Sequence, residues 1–361
     1  MLITSDELAD IVRRASYGAA PSEQELSSRV ARAISAARQS TDTSNESSRF
    51  LRSLVDKSAE FLTDAARAAL TEVELYGADF WYANALPTLE PRRRIIVFDG
   101  LQQLFVFYAD IIRVLDALQI HRPNATAEIG NETMSEVDAF SLSAFSILSD
   151  SLTNLRQPIV IHDMLGPKAR AEVMSAYQLG MTFVLLHELG HIELGHVNLS
   201  TVRSERAHIG LAISEELDAF QRDELAADAY AFGLLPPRLR GEYLPSVMFL
   251  LGGFAFLESI AERRSTRHPL AANRLHALLE LSEMNPNDRQ MVRNWIDDQI
   301  ESWRRFESSR SAIGREVHAH IENRVPVKVA YETIRRIKAK VSSEHGFLER
   351  GNLADLPAPA S

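Results

Sequence analysis

Apolar residues recur at helical intervals along most of the chain. Leu8, Ile11 and Val12, then Val30 and Ile34, predict helix through residues 1–38, and the polar stretch 39–49 (QSTDTSNESSR) reads as a linker. Leu51, Leu54, Val55, Phe61 and Leu62 predict a second amphipathic helix from Phe50 to Tyr76. The period then changes. Ile95-Ile96-Val97-Phe98 is a β-branched run closed by Asp99-Gly100, which predicts a strand and a turn. Leu101–Leu118 returns to helical spacing, residues 119–156 are Pro/Asn-punctuated before turning helical, and Gln157–Ile161 reads as a second short strand. Further helices are expected from about Lys168 to a stop at Gly195, and from Ser214 to just before Pro236. Others follow over 244–262 and 269–283, with two more between Asp288 and Val341 broken near Pro326. The Pro/Ala-rich end, Gly351–Ser361, is expected to be disordered.

These elements predict a mostly α fold with a small β-sheet, of the α+β class. They divide the chain into an N-terminal helical extension with its linker (1–49), a central domain (50–285) with an insertion at about 119–167, a C-terminal helical region (286–350) and a tail (351–361). The most apolar run, Leu244–Leu257, is too short to span a bilayer and contains Pro245 and Gly252-Gly253, so it reads as a buried helix and membrane association is not expected.

Composition narrows the chemistry. A net charge of −10 argues against a nucleic-acid binder that neutralises phosphates, and the basic triplet Arg92-Arg93-Arg94 is too local to reverse that. The absence of cysteine excludes disulfides, thiolate zinc sites and cysteine nucleophiles, so a metal would have to use His, Asp or Glu. The same absence, with a start (Met1–Glu7) that lacks a basic then apolar leader, makes the cytoplasm the expected location.

His187-Glu188-Leu189-Gly190-His191 then becomes the centre of attention. H-E-x-x-H on a helix sets two imidazoles one turn apart on one face, where both can bind one zinc ion while Glu188 reaches a metal-bound water. Gly180, Phe183, Val184 and Leu194 share that arc and would wall the histidines from solvent. The pattern is moderately specific by itself; the alternative is a helix carrying two ordinary histidines. A third ligand is therefore the test. Between Glu215 and Leu235 the helical wheel gathers Leu217, Phe220, Ala231 and Leu235 on one face, with Glu224 and Asp228 in the middle of it. Two carboxylates on a buried stripe need positive partners: a metal for Glu224 and a metal-bound histidine N–H for Asp228, or else nearby arginines for both. His196 reads as a helix-end residue, and Val197 occupies the place of a metzincin's third histidine.

HELGH followed by Glu224-Leu225-Ala226-Ala227-Asp228 resembles the gluzincin pattern H-E-x-x-H … E-x-x-A-D, nearest to the HtpX and CAAX-prenyl-protease family of zinc metallopeptidases. Asn84-Ala85 with Ile95–Leu101 is similar to that family's N-A segment and the strand ending in Gly-Leu. Ser265-Thr266-Arg267-His268-Pro269 with Arg274-Leu275 resembles its S-T-H-P … R-[IL] segment. The resemblance implies a zincin-like core within 50–285, one zinc held by His187, His191 and Glu224, Glu188 as general base, Asp228 orienting a ligand, and His268 and Arg274 near the substrate or the oxyanion. Three features depart from the family: a long stretch separates Gly100-Leu101 from HELGH, Arg267 interrupts T-H-P, and the membrane helices of many relatives are not expected here, which makes this a soluble variant whose substrate need not be membrane-bound.

The expected activity is zinc-dependent endopeptidase hydrolysis of a protein or peptide by a metal-activated water, the substrate extended along a sheet edge near Ile95–Phe98. The alternatives are a regulatory intracellular protease of phage-exclusion or stress-response type with one protein target, which the added helices would suit, and a non-catalytic binding protein stapled by zinc. The intact Glu188 argues against the latter. Nothing in the pattern speaks to oligomeric state.

Overall fold

A computed structural model of the chain describes residues 23–80, 84–129, 132–141, 143–144, 147, 165–197, 219–260, 271–294, 297 and 327–342. The expected strand at Gln157–Ile161, His268, the start of the helix expected from Ser214, and the tail lie outside the described residues.

The described chain runs α1 (Glu23–Gln39), α2 (Glu46–Lys57), α3 (Asp64–Thr71), β1 (Glu74–Ala78), β2 (Ala85–Thr88), β3 (Arg94–Phe98) and α4 (Asp99–His121). A hairpin follows, β4 (Thr126–Ile129) and β5 (Glu132–Ser135). Then come α5 (Pro167–Glu193), α6 (Ala219–Gly233), α7 (Arg240–Ile260), α8 (Ala271–Glu280) and α9 (Val327–Ser342). Helices with two small sheets make this an α+β protein, the class the apolar pattern predicts. Its described residues fall into two compact units, one within Arg32–Ala109 and Ala171–Glu307, the other within Met1–Ala31, Asp110–Arg170 and Ser308–Leu353.

In the first unit β3 is the central strand, parallel to β1 (Leu75↔Ile95) and antiparallel to β2 (Ala85↔Val97). Its continuous apolar run is explained by burial on both faces. Ile95 and Val97, with Leu75 and Ala85, join the main core with Leu186 and Leu189 of α5. Ile96 and Phe98, with Ala78, pack on Ala33, Ile34 and Ala37 of α1. A central strand has no free edge, so the substrate edge expected at Ile95–Phe98 is not available there. The outer edge of β1 is also engaged: Gly77 N–H donates to Ser48 Oγ at 2.9 Å, and Asn45 Nδ2 donates to the Gly77 carbonyl at 3.1 Å. Among the described residues β2 pairs on one side only.

The basic triplet is not a patch. Arg94 is buried and donates to Ala37 O (2.7 Å), Ser40 O (2.8 Å) and Glu74 (2.6 Å), Arg92 also meets Glu74, and Arg93 pairs with Glu193 at the end of α5.

Capping moves three expected boundaries. The linker is shorter than its polar composition predicts, because Asn45 Oδ1 accepts Ser48 N–H at 2.7 Å and starts α2 inside it. The helix expected to reach Tyr76 stops at Lys57 and restarts behind Thr63, whose hydroxyl accepts Ala66 N–H and donates to Leu234 O at 2.8 Å; β1 then takes Glu74–Ala78. Asp99-Gly100 opens α4 rather than a turn, since an acid suits the first turn of a helix and Ser47 Oγ donates to Asp99 at 2.7 Å. The hairpin β4–β5 was legible only as Gly130-Asn131 between two short alternating runs.

In the second unit Glu136 is wholly buried, its Oε2 taking Arg122 Nε at 2.6 Å and its Oε1 taking Arg122 Nη2 at 3.1 Å and Lys340 Nζ of α9 at 3.3 Å. Burial opposes its charge, but the guanidinium and ammonium outweigh that and hold the carboxyl below its ordinary value. A depressed folded value contributes stability that is fully present above the unfolded carboxylate value (about 4.3) and lost as pH falls through the folded one. Glu136→Gln, which leaves a half-buried guanidinium without its anion, is expected to cost roughly 3 kcal/mol near neutral pH. Its acid limb of stability should also flatten. Urea unfolding along a pH series checks this; a variant as stable as wild type at neutral pH would show the pair contributes nothing.

Candidate metal centre

From Gly180 to Gly190 α5 is buried on every side, where a single apolar arc was expected. Buried all round there, it is central rather than amphipathic over that stretch. Tyr177 packs edge-on against Phe105 of α4 (centroids 5.7 Å apart), and Thr182 Oγ1 donates to Ser58 Oγ at 2.9 Å. α5 meets α6 at Gly190: a Cβ there would lie 3.1 Å from Ala227 O and 3.2 Å from the Tyr230 ring. A side chain there would require Ala227 and Tyr230 of α6 to give by a few tenths of an ångström.

That crossing brings His187, His191 and Glu224 together. The Nε2 atoms of the two histidines are 3.1 Å apart; Glu224 sets Oε2 3.4 Å from His187 Nε2 and Oε1 3.3 Å from His191 Nε2. One ligand atom from each of the three lies within 4.8 Å of the others. With their Nε2 protons off, the two imidazoles and the carboxylate could all offer lone pairs toward one point. This N, N, O set could hold a divalent metal ion.

His187 Nδ1 donates to Asp228 Oδ1 at 2.8 Å, and Arg274 of α8 holds the same carboxylate with Nε and Nη2, both at 2.7 Å. Both readings of the buried carboxylates therefore meet here: Asp228 has an arginine and a histidine, while Glu224 faces the two histidines. Burial opposes the charge on His187, but Asp228 and Glu224 outweigh it and lift the metal-free imidazole to about 10. Burial opposes the charge on Asp228 too, and Arg274 with His187 keeps it below the ordinary carboxylate range. Arg274 is raised by Asp228, Glu224 and Glu188 against its own burial. The resemblance put Arg274 beside the substrate; here two of its nitrogens are engaged on Asp228. Glu188 is 7% exposed, next to His187 and within electrostatic reach of Arg274.

His196, read as a helix-end residue, lies on the far ring nitrogen of His191: its Nδ1 is 3.0 Å from His191 Nδ1, and its Nε2 faces Asp223 Oδ1 at 3.6 Å. Burial and the neighbouring His191 press it down to about 4, so it is neutral near pH 7. Spacing alone points it away from His191; the signal that could have found it is Gly195 before it. The Arg274–Asp228 pair had no signal beyond the Arg274-Leu275 segment itself.

The profile of the peptidase U49 family matches residues 100–295, which contain every residue gathered here from His187 to Arg274. Searches among curated proteins and among solved structures find no match. Among the described residues no helix is long and apolar enough to cross a membrane. Since the matched residues are more than half of its length, the chain belongs to the peptidase U49 family, a peptidase family.

Proposed function

We propose that this peptidase is a zinc-dependent endopeptidase of gluzincin type, with a zincin-like core inside residues 50–285, acting on a protein or peptide in the cytoplasm. The observation that carries the reading is the convergence of His187, His191 and Glu224 on one point, with a glutamate beside the first histidine. Zinc held there would supply a polarised water and a Lewis acid for the scissile carbonyl. The protein's own groups do the rest. Glu188 takes the proton of the attacking water and delivers it to the departing amine. Asp228, clamped by Arg274, accepts the Nδ1–H of His187 and so keeps that ring's Nε2 lone pair aimed at the ligand point. Arg274 works through Asp228, and His268 is the candidate for oxyanion contact that the resemblance supplies. The peptide would extend along the outer edge of β2, which has no strand partner among the described residues.

The test is metal content by mass spectrometry alongside cleavage of casein or a peptide library. One zinc per chain is expected, with chelator-sensitive cleavage, and both should be lost in His187→Ala and His191→Ala. A metal-free wild-type protein that refuses added zinc would overturn the reading.

A further inference from the structure

A histidine that offers its Nε2 lone pair must carry its proton on Nδ1, and that N–H needs an acceptor. For His187 the acceptor is Asp228. His191 is different: the atom at its Nδ1 is another ring nitrogen, His196 Nδ1, at 3.0 Å. Two nitrogens at that distance share one proton. If His191 carries it, His196 must present a lone pair, and its own proton then sits on Nε2, toward Asp223 Oδ1. The protonation of both rings follows from the ligand role of the first.

The backbone explains how the second ring arrives. On a continued helix His196 would sit about 140° around the axis from His191. Instead Gly195 adopts φ +75°, Gly195 N–H donates to Ile192 O at 3.2 Å, and His196 N–H donates to His191 O at 2.9 Å. This is the Schellman ending, in which the residue after the left-handed glycine folds back over the residue five before it. In such endings that contact is frequently hydrophobic; here the pair is His191 and His196, with ring centroids 5.1 Å apart.

We infer that His196 is a positioning residue for His191, its Nδ1 accepting the Nδ1–H of that ring and fixing the tautomer that turns Nε2 toward His187 and Glu224. This rests on the metal site proposed above. The two metal histidines are thus held by different chemistry: His187 by a carboxylate backed by a guanidinium, His191 by a neutral imidazole on a helix-ending turn.

Zinc affinity, read by competition with a chromophoric chelator, tests it across His196→Ala, His196→Asn and His196→Gln, with thermal melts reporting the fold. Asn Oδ1 stands where His Nδ1 does, whereas Gln Oε1 falls near Nε2. Ala and Gln should therefore weaken zinc by about 10–100-fold while Asn stays near wild type. A merely packed side chain would not separate Asn from Gln in this way. Long-range imidazole 15N–1H spectra of the zinc-loaded wild type add a readout that needs no variant, and His196 should appear as the Nε2–H tautomer. Wild-type affinity in His196→Ala, Asn as weak as Ala, or a Nδ1–H His196 would overturn the inference while leaving the zinc reading intact. Failure of wild type to take up zinc would overturn both.

Discussion

Glu188→Gln is expected to keep zinc at one per chain while peptide hydrolysis falls by roughly 10²–10⁴-fold, the range that loss of a positioned general base produces. The amide has the same shape as the carboxylate and leaves His187, His191 and Glu224 unaltered, so metal binding has no reason to change. What it cannot do is accept the water's proton. The loss should fall on kcat, with KM little altered, because a proton transfer contributes only in the transition state. Metal stoichiometry and steady-state kinetics on one preparation check both halves. Loss of zinc would make Glu188 a ligand, and undiminished hydrolysis would place the reaction elsewhere in the molecule.

Glu224→Ala is expected to release zinc and abolish cleavage, because it removes the carboxylate that, among the described residues, faces both Nε2 atoms, at 3.3 and 3.4 Å. Asp228→Asn should be milder, about 10–100-fold in zinc affinity or rate, since an amide oxygen can still accept from His187 Nδ1. Its second effect is on stability: Arg274 would keep a buried guanidinium without its anion, so the variant should melt below wild type. Zinc titration and thermal melting of both variants check the ranking. If Asp228→Asn loses zinc and Glu224→Ala does not, the carboxylates exchange roles.

Local geometry was legible from the residues alone. Two histidines four apart on a helix must share a face, and so must Glu224 and Asp228 four apart on another, whatever surrounds them. Alternation in β3 likewise decides that Ile95 and Val97 look one way and Ile96 and Phe98 the other. An apolar pattern dominated by helical spacing, broken by a short β-branched run, was enough for the α+β class.

What it could not decide is which faces meet. The burial of α5 on all sides from Gly180 to Gly190, the crossing at Gly190 that sets Glu224 against both histidines, and the arrival of Arg274 from α8 at Asp228 all depend on contacts between residues far apart in the chain, about which periodicity carries no information. The same is true of β3, whose place between β1 and β2 removes the edge expected for substrate. Turns matter most. Helical spacing points His196 away from His191, and one left-handed glycine reverses that, because a single backbone dihedral redirects every atom after it. The amino-acid sequence determined which side chains could bind a metal; the tertiary structure decided which of them meet and what holds each one.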